Sequence, residues 1–250
     1  MFETYKDIFN QRGDAYHAAM TAFPDARNRE FREILDRAAP APGEVVLDLP
    51  SGGGYLRRHV RTPGVRFVEV ETSSAFHALH QPAEDVRSVL CDLDDLDIDT
   101  GSVDVAVSLA GLHHAPDLPR IFDEIRRALK PAGRLCLADV RSGSPVDGFL
   151  NRFVHEHSSM GHEGDFLDDR VTAWLAGSGF AIESDAVVPY TWDFPSVDAM
   201  VRYVTLLFGL DRATPEQVRD GIAAHLGYET GAAGCRMHWE LRFLGCRRKA

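Results

Sequence analysis

The stretch from Glu44 to Tyr55 constrains the fold more than any other part of the chain. It reads Glu-Val-Val-Leu-Asp-Leu-Pro-Ser-Gly-Gly-Gly-Tyr, an apolar run around Asp48 that passes into three glycines, Gly52 to Gly54. A buried strand that ends in a glycine turn and is followed by a helix is the usual cradle for a nucleotide-like ligand. Glycine adopts positive φ and lets backbone N–H groups approach the ligand, while the helix directs further N–H groups at the same place.

The composition is that of an ordinary globular protein. With 250 residues, 44% of them hydrophobic and 26% charged, the chain is long enough for one well-buried domain with elaborations. The net charge of −11 disfavours nucleic acid as a partner, because broad contact with phosphates requires a basic face. Four scattered cysteines and an acidic N-terminal segment predict a cytoplasmic protein with reduced thiols, no signal peptide and no membrane span.

Between residues 44 and 140, apolar strands alternate with amphipathic helices. The predicted strands are 44–50, 66–70, 86–91, 103–109 and 134–140, and the predicted helices lie near 54–60, 73–80 and 117–129. Near-continuous apolar strands separated by helices are typical of a parallel sheet covered on both faces. The predicted fold class is therefore α/β, with a doubly wound, Rossmann-like and mostly parallel sheet.

The segments on either side of this core predict elaborations of it. Helical spacing indicates two helices within residues 1–40, either as ordinary packing or as a lid over the ligand. After a histidine-rich segment at 153–166, the pattern predicts helices at 168–177, 196–208 and from Thr214, a strand at 180–188, and an antiparallel last strand at 237–244. A single domain, 1–250, is expected, with a lid at 1–40, a cofactor-binding core at 44–140, and a substrate cap at 141–166 and 190–235.

The order of these motifs resembles the class I S-adenosylmethionine-dependent methyltransferases, particularly the small-molecule branch that includes the ubiquinone and menaquinone biosynthesis enzymes. The resemblance covers about residues 44 to 140 by motif and extends to 244 by architecture. The family's first motif is an acidic strand end followed by Gly-x-Gly-x-Gly, and Asp48, Pro50, Gly52 and Gly54 occupy those places. Proline in the first glycine place lacks an N–H and fixes φ, so the turn differs locally.

Three later segments also match. Glu71 follows Asp48 by about 20 residues, the interval expected of a ribose acid in a βαβ unit, and the family places there an acid that accepts hydrogen bonds from both ribose hydroxyls. The segment Asp92-Leu93 stands where the family contacts adenine. The fourth strand and its end, with Ser108 and His113, and the turn from Leu129 to Leu135 match as well.

The resemblance implies S-adenosyl-L-methionine as the cofactor. Taken singly, each acid is explained equally well as a solvated loop or strand end, and only their shared place at strand ends favours a ligand. The implied cofactor-binding residues are Asp48, Pro50, Gly52, Gly54, Glu71, Asp92, Leu93, Ser108 and His113.

The implied reaction is methyl transfer to an oxygen or carbon of a small organic acceptor. For such a reaction the protein aligns the two centres, excludes water and, for a hydroxyl or enol, removes a proton. Histidine is the natural base because its unperturbed pKa is about 6.5. The candidate catalytic residues are His114, at the end of the fourth strand, and His157 and His162, in the segment after the fifth.

The same histidine-rich segment supports a metal site only weakly. His155 and His157 with His162 do not complete a ligand set at any known spacing, so no metal is predicted. The acceptor site is expected in the elaborations, where aromatic residues could line a cavity for a hydrophobic or aromatic small molecule. These residues are Tyr16, Phe149, Phe153, Tyr190, Trp192, Phe194, Tyr203 and Phe208.

Three other functions stay open at the level of the sequence. A non-catalytic or repurposed S-adenosylmethionine-binding protein is suggested by Pro50 and by the want of an unambiguous catalytic residue. A nicotinamide-dependent oxidoreductase shares the Rossmann sheet, but the glycines after Ser51 do not form Gly-x-Gly-x-x-Gly. Nucleic-acid methylation is weaker still, because Ala110 to His114 replaces the Asn/Asp-Pro-Pro-Tyr motif of amino-group methylases.

Overall fold

A central sheet flanked by helices forms the body of the protein. The computed structural model describes residues 5–249, so the first four residues of the predicted lid and Ala250 lie outside the described residues. The elements are α1 Tyr5–Ala22, α2 Asn28–Ala38, β1 Val45–Asp48, β2 Arg66–Glu71, α3 Ser74–His77, β3 Val86–Leu90, β4 Val103–Leu109, α4 Leu118–Ala128, β5 Leu129–Asp139, α5 Pro145–Gly148, α6 His155–His157, α7 Arg170–Gly177, β6 Phe180–Phe194, α8 Val197–Phe208, α9 Pro215–His225, β7 Tyr228–Gly231 and β8 Gly234–Arg248. Across this part of the chain, no helix has the length and apolarity to cross a bilayer.

The sheet has the strand order β3-β2-β1-β4-β5-β8-β6, with β7 paired to β8. The first five strands are parallel, whereas β8 runs antiparallel to both β5 and β6. This confirms the predicted α/β class with an antiparallel last strand. The strand order reverses between β1 and β4, and the carboxyl ends of strands at such a reversal open a crevice for a ligand.

Alternate residues of the strands face two separate cores. Val46 packs with side chains of α1, α2 and α8, whereas its neighbour Leu47 packs with side chains of α4 and α7. Successive residues of a strand point to opposite faces, so a continuous apolar run serves both layers at once. This explains why the core strands read as unbroken apolar segments.

The helix predicted at 54–60 is wrong. These residues form a turn and a single 3-10 turn at Arg57–His59. Pro63 and Gly64 follow within a few residues, which leaves too little chain to offset the cost of helix nucleation. Tyr55 and Leu56 are buried instead and hold the loop against the core. The helix predicted at 73–80 is likewise reduced to α3.

Strands β6 and β8 are longer than the predicted 180–188 and 237–244. Strand β5 pairs with β8 only over Arg134–Asp139, opposite Arg242–Arg247. Beyond that point β6 pairs with β8, and β8 also pairs with β7, so β6 and β8 extend past the carboxyl end of β5 as an antiparallel pair. We call this pair the β6–β8 hairpin, although α8, α9 and β7 lie between its strands. It carries Trp192 and Trp239 over the crevice.

A buried ionic network ties the hairpin to the N-terminal helices. The carboxylate of Glu30, in α2, is fully buried. It accepts hydrogen bonds from Tyr190 Oη at 2.9 Å, Trp192 Nε1 at 2.8 Å and Arg27 Nε at 3.0 Å. Arg27 also donates to Tyr16 Oη of α1 at 2.6 Å. The Glu30 charge is paired with that of Arg27, and its oxygens accept the buried donors around it. The network therefore holds α1, α2 and the hairpin together as one wall of the crevice.

Removing the Glu30 carboxylate should destabilise the fold strongly. In the variant Glu30→Ala the Arg27 guanidinium is left buried and unpaired, and we expect the free energy of unfolding in urea to fall by about 3–5 kcal/mol. Glu33→Ala is the matched control, because Glu33 lies in the same helix and pairs with Arg37 at the half-exposed surface. Its loss should stay below about 1 kcal/mol, and equal losses in the two variants would contradict the network's role.

Candidate functional site

The glycine loop after β1 reaches the crevice through its backbone. Gly52 has φ +57° and Gly54 φ +71°, conformations that glycine adopts without strain. The Gly52 N–H donates to Glu71 Oε2 at 2.8 Å. Pro50 packs against Gly111 after β4, where a Cβ would lie 2.5 Å from the proline Cγ. Proline in the first glycine place therefore keeps the loop against β4 and leaves the Gly52 donor in use.

Glu71, at the end of β2, is a carboxylate held by the backbone. It is fully buried and accepts N–H groups of Gly52, Thr72 and Ser73, each at 2.8 Å. Tyr5 of α1 donates its hydroxyl to Glu71 Oε2 at 3.1 Å. Burial raises the pKa of Glu71 to about 7, although these hydrogen bonds oppose the rise. The Tyr5 hydroxyl thus occupies one of the positions that the resemblance assigns to a ribose hydroxyl.

Asp48 lies at the end of β1, where the glycine loop begins. Its carboxyl is buried, and Oδ2 has no hydrogen-bond partner among residues 5–249. Burial, and then the charges of Glu69 and Glu71, raise the pKa of Asp48 well above its usual range. Asp48 and Pro50 line a cavity of about 60 Å³. An orphaned buried carboxyl beside a glycine loop suits the ammonium group of an amino acid moiety, which would supply the missing positive charge and donors.

A second cavity, of about 330 Å³, lies at the ends of β2 and β3. Its walls include Thr72, Asp92, Leu93 and His114. Leu93 is buried, and the exposed Asp92 lies 3.9 Å from Lys6 Nζ of α1. The two predicted adenine contacts, Asp92 and Leu93, therefore lie together in the wall of one cavity.

Tyr5 lines both cavities. The residues present therefore fit an adenosyl group in the cavity beside Leu93 and an amino acid moiety in the cavity beside Asp48. For the cofactor to reach Glu71, the first turn of α1 would have to move away from that carboxylate. Ser108, the remaining predicted contact in β4, is buried with Oγ unpaired in the described chain. The cavity wall next to it is formed by Leu109, Ala110 and Gly111.

Three histidines meet at the ends of β4 and β5. One ring nitrogen from each of His113, His114 and His162 lies within 4.8 Å of the others, and we call these three residues the histidine group. His113 Nδ1 lies 2.7 Å from Asp139 Oδ1, and His162 Nδ1 lies 3.0 Å from Asn151 Oδ1. Two of the three rings are therefore held by a neighbouring polar side chain.

Burial keeps two members of the histidine group, His114 and His162, neutral. Asp139 is fully buried, and its carboxylate also accepts the N–H groups of Leu112 at 3.1 Å and Val140 at 2.8 Å. Burial first, and then the neighbouring His113, hold the pKa of both His114 and His162 well below the usual 6.5. Both imidazoles are uncharged at neutral pH and can offer a nitrogen lone pair.

The structure brings together only some of the predicted catalytic histidines. His114 and His162 join the group together with His113, which was predicted as a cofactor contact. His157 does not join it, because its ring stacks on Phe153 at 4.3 Å and its Nδ1 donates to the Phe153 carbonyl at 2.9 Å. The histidine-rich segment 153–166 begins in a π-helical turn at Phe149–Val154 and in α6, and it continues from 158 to 166 without regular secondary structure.

Two residues that support the group were missed from the sequence. Asp139 ends β5 as Asp48 ends β1, so the same signal, an acid at the end of an apolar strand, would have found it. Asn151 carries no comparable signal, since its role depends on how the π-helical turn packs.

A third cavity, of about 70 Å³, adjoins the histidine group and has mostly aromatic walls. Trp192 and Trp239 stack there with ring centroids 4.2 Å apart. Its lining includes Phe9, Arg12, Tyr16, Arg27, Ala110, Trp192, Phe208, Trp239 and the histidine group. Of the predicted acceptor aromatics, Tyr16, Trp192 and Phe208 line it, whereas Phe149, Phe153, Tyr190, Phe194 and Tyr203 belong to the buried core. Ala110 borders both this cavity and the glycine-loop cavity, so the two regions adjoin.

Comparison with known proteins agrees with this geometry. Residues 47–137 match the methyltransferase domain family. A demethylmenaquinone methyltransferase of Clavibacter sepedonicus is 27% identical over 70% of this chain and 81% of its own length. An uncharacterized methyltransferase of Mycobacterium tuberculosis is 30% identical over 63% of each chain, and an arsenite methyltransferase of Halobacterium salinarum is 32% identical over 43% of this chain and 30% of its own.

Solved structures show the same fold. Phosphoethanolamine N-methyltransferase 2 of Haemonchus contortus, bound to S-adenosylhomocysteine, superposes with a TM-score of 0.65 at 16% identity, over 99% of this chain and 61% of that one. Geranyl diphosphate C-methyltransferase of Streptomyces coelicolor, also with S-adenosylhomocysteine, gives a TM-score of 0.60 at 15% identity, over 93% and 83% of the two chains. The chain therefore has the fold of the class I S-adenosylmethionine-dependent methyltransferases and carries a methyltransferase domain at residues 47–137, for which these comparisons indicate S-adenosylmethionine as the cofactor.

The raised pKa of Glu71 predicts a pH-dependent affinity for the cofactor. An ionised carboxylate accepts ribose hydroxyls better than a protonated one, and Glu71 loses its charge as the pH falls through about 7. The dissociation constant for S-adenosylhomocysteine, measured by calorimetry, should therefore rise as the pH is lowered from about 8 to 6, by up to about tenfold per unit below the pKa. Glu71→Gln should bind weakly at every pH, and a pH-independent wild type would contradict the assignment.

Proposed function

We propose that the protein methylates an oxygen or carbon atom of a small hydrophobic or aromatic acceptor, which binds in the aromatic cavity beside the histidine group. One observation carries this proposal. The histidine group, held by Asp139 and Asn151, lines the aromatic cavity, and this cavity shares Ala110 with the glycine-loop cavity. A methyl acceptor needs a place next to the donor where its own proton can be removed, and the histidine group supplies it.

The side chains around the cavity would position a flat acceptor and exclude water. When bound, S-adenosylmethionine supplies a methyl group that its positively charged sulfur has already activated. The stacked Trp192 and Trp239 offer apolar faces to a ring, and the histidine group accepts the hydrogen of a hydroxyl or enol. Burial lowers the pKa of Arg12 to about 10, so this guanidinium stays protonated at neutral pH. Its charge favours an acceptor that becomes an oxyanion.

Helix α1 is proposed to act as the lid of a single domain, 1–250. Tyr5, Phe9, Arg12 and Tyr16 lie on one face of the helix, and between them they line all three cavities. The remaining cap comes from the 141–166 segment and from the β6–β8 hairpin, with α8 between its strands. Movement of α1 would expose Glu71 and open both the cofactor and the acceptor regions.

The charge and the cysteines support the rest of the proposal. A net charge of −11 favours a small-molecule acceptor over nucleic acid. The four cysteines are free thiols, and three of them are buried, which supports a reducing, cytoplasmic location.

The proposed function is tested by methyl transfer from labelled S-adenosylmethionine to a panel of small phenols, enols and aliphatic alcohols. We expect turnover to be confined to acceptors with a planar apolar ring and an ionisable hydroxyl. Tight cofactor binding without turnover on any acceptor would contradict the proposal and favour a repurposed cofactor-binding protein.

Asp139→Asn should slow the reaction of any acceptor found in this way. The amide can turn its N–H₂ group toward His113 and so favour the wrong tautomer, and we expect kcat to fall by about 100-fold or more with little change in the dissociation constant of the cofactor. The control is Asp193→Asn, since Asp193 lies exposed on the hairpin and, among the contacts described, its carboxylate accepts only from the neighbouring Thr191 hydroxyl. An unchanged kcat in Asp139→Asn would exclude the histidine group from the reaction.

A further inference from the structure

The histidine group has the chemical make-up of a metal site. We propose that His113, His114 and His162 bind one divalent transition-metal ion, for which Zn²⁺ is the natural probe, and that the ion holds the acceptor's hydroxyl. Three imidazole ligands with an open fourth position are a known arrangement for a catalytic zinc ion. The role assigned to the ion rests on the proposed function, whereas binding of the ion does not.

The tautomer of His162 follows from its partner Asn151. The amide Nδ2 donates to Asp147 Oδ1 at 3.2 Å and to the Gly164 carbonyl at 3.0 Å, while Oδ1 accepts the Gly164 N–H at 2.8 Å. These three contacts orient the amide, so Oδ1 can only accept. His162 Nδ1 must therefore carry the proton, and its Nε2 presents a lone pair.

The tautomer of His113 follows in the same way from Asp139. A carboxylate already held by two backbone N–H groups accepts a hydrogen bond from His113 Nδ1, so Nε2 is the nitrogen of this ring that can bind a metal. A carboxylate that orients a histidine through its far nitrogen is the usual second layer of a metal site. Asp139 also contributes a negative charge that stabilises a cation bound nearby.

Hydrogen bonds within the group cannot satisfy these lone pairs. His113 and His162 both present acceptors, and the neutral His114 ring can supply only one N–H to the two of them. The ring centroid of His114 lies 4.3 Å from that of His113 and 4.9 Å from that of His162, so His114 stands beside both. Converging lone pairs need a donor or a cation, and one divalent ion would satisfy all three rings at once.

The distances between the three ring nitrogens are close to the distances between the ligand nitrogens of a bound zinc ion. Zinc–nitrogen bonds of about 2.0–2.1 Å place two nitrogens of a tetrahedral site about 3.4 Å apart. The three ligand nitrogens lie within 4.8 Å of one another. Small rotations of the side chains, each moving a ring nitrogen by roughly an ångström, would bring the three nitrogens to the distances found around a bound ion.

The fourth position would be open to an acceptor. All three histidines line the aromatic cavity and also an outer cleft of about 790 Å³. With the ion bound, the ring lone pairs would be taken up by the metal, so the ion would replace the histidines in activating the hydroxyl. The bound hydroxyl would lose its proton to solvent near neutral pH, because a divalent ion lowers the pKa of a bound hydroxyl. The oxygen lone pair would then form the bond to the methyl carbon as the electrons of the carbon–sulfur bond remain on sulfur.

Metal binding is tested without cofactor or acceptor. Full-length protein treated with a chelator and dialysed is titrated with Zn²⁺ by calorimetry and with Co²⁺ by visible absorption. We expect one ion per chain and the intense absorption of tetrahedral cobalt. His162→Ala and His114→Ala should each weaken Zn²⁺ binding by about 100-fold or more. His238→Ala, which removes a histidine from the half-exposed hairpin, should bind as the wild type does.

Failure of the wild type to bind Zn²⁺ in a one-to-one ratio would overturn the proposal. So would equal binding by wild type and by a folded His114→Ala or His162→Ala variant, with folding checked by circular dichroism. Should one variant fail to fold, the other variant and the wild-type cobalt spectrum still decide. A protein that binds zinc but methylates none of the acceptors would refute the proposed function and leave the metal site standing.

Discussion

The Glu71 carboxylate, held by three backbone N–H groups at the end of β2, is the interaction on which the rest of the site depends. It draws together the glycine loop through Gly52, the turn after β2 through Thr72 and Ser73, and helix α1 through Tyr5. A buried carboxylate with matched donors is costly to move, so these three segments keep a fixed relation to one another. The same group is the natural acceptor for ribose hydroxyls, which explains why the cofactor region and the lid meet at Glu71.

The acceptor region depends on a second buried charge. Glu30 joins α1, α2 and the β6–β8 hairpin, and the hairpin brings Trp192 and Trp239 over the ends of β4 and β5. The histidine group lines the same cavity as these rings, and Ala110 borders both this cavity and the glycine-loop cavity. Helix α1 faces every part of this arrangement, so one movement of the lid would affect cofactor and acceptor together. This coupling suits a reaction that must exclude water before the methyl group moves.

Local pattern predicted the mostly parallel sheet. Its strands follow from apolar runs separated by amphipathic helices, and the position of Asp48 and Glu71 at strand ends could be predicted because parallel strands end at a shared edge. The helix at 54–60 was wrong because apolar spacing does not register how soon Pro63 and Gly64 break the chain. The start of the helix at Thr214 was predicted correctly, because it is set by a local capping box between Thr214 and Gln217.

Contacts between distant segments set the rest of the site. Tyr5 reaches Glu71 and Asn151 holds His162 only because α1 and the π-helical turn pack where they do, and no local spacing encodes either contact. The sequence did not predict the outer half of the hairpin. Its residues are strands only because they pair with each other beyond the end of β5, and that pairing joins segments distant in sequence. His157 was a candidate by sequence neighbourhood alone, whereas the fold brings His113 to the group from the end of β4.

The most direct test is a crystal structure of the protein with S-adenosylhomocysteine. The account predicts that the ribose hydroxyls lie on the Glu71 carboxylate, that the Tyr5 hydroxyl has left it, and that adenine fills the cavity beside Leu93. The sulfur atom should lie near Ala110 and face the aromatic cavity. A ligand bound elsewhere, or one bound with the hydrogen bond from Tyr5 to Glu71 intact, would contradict it.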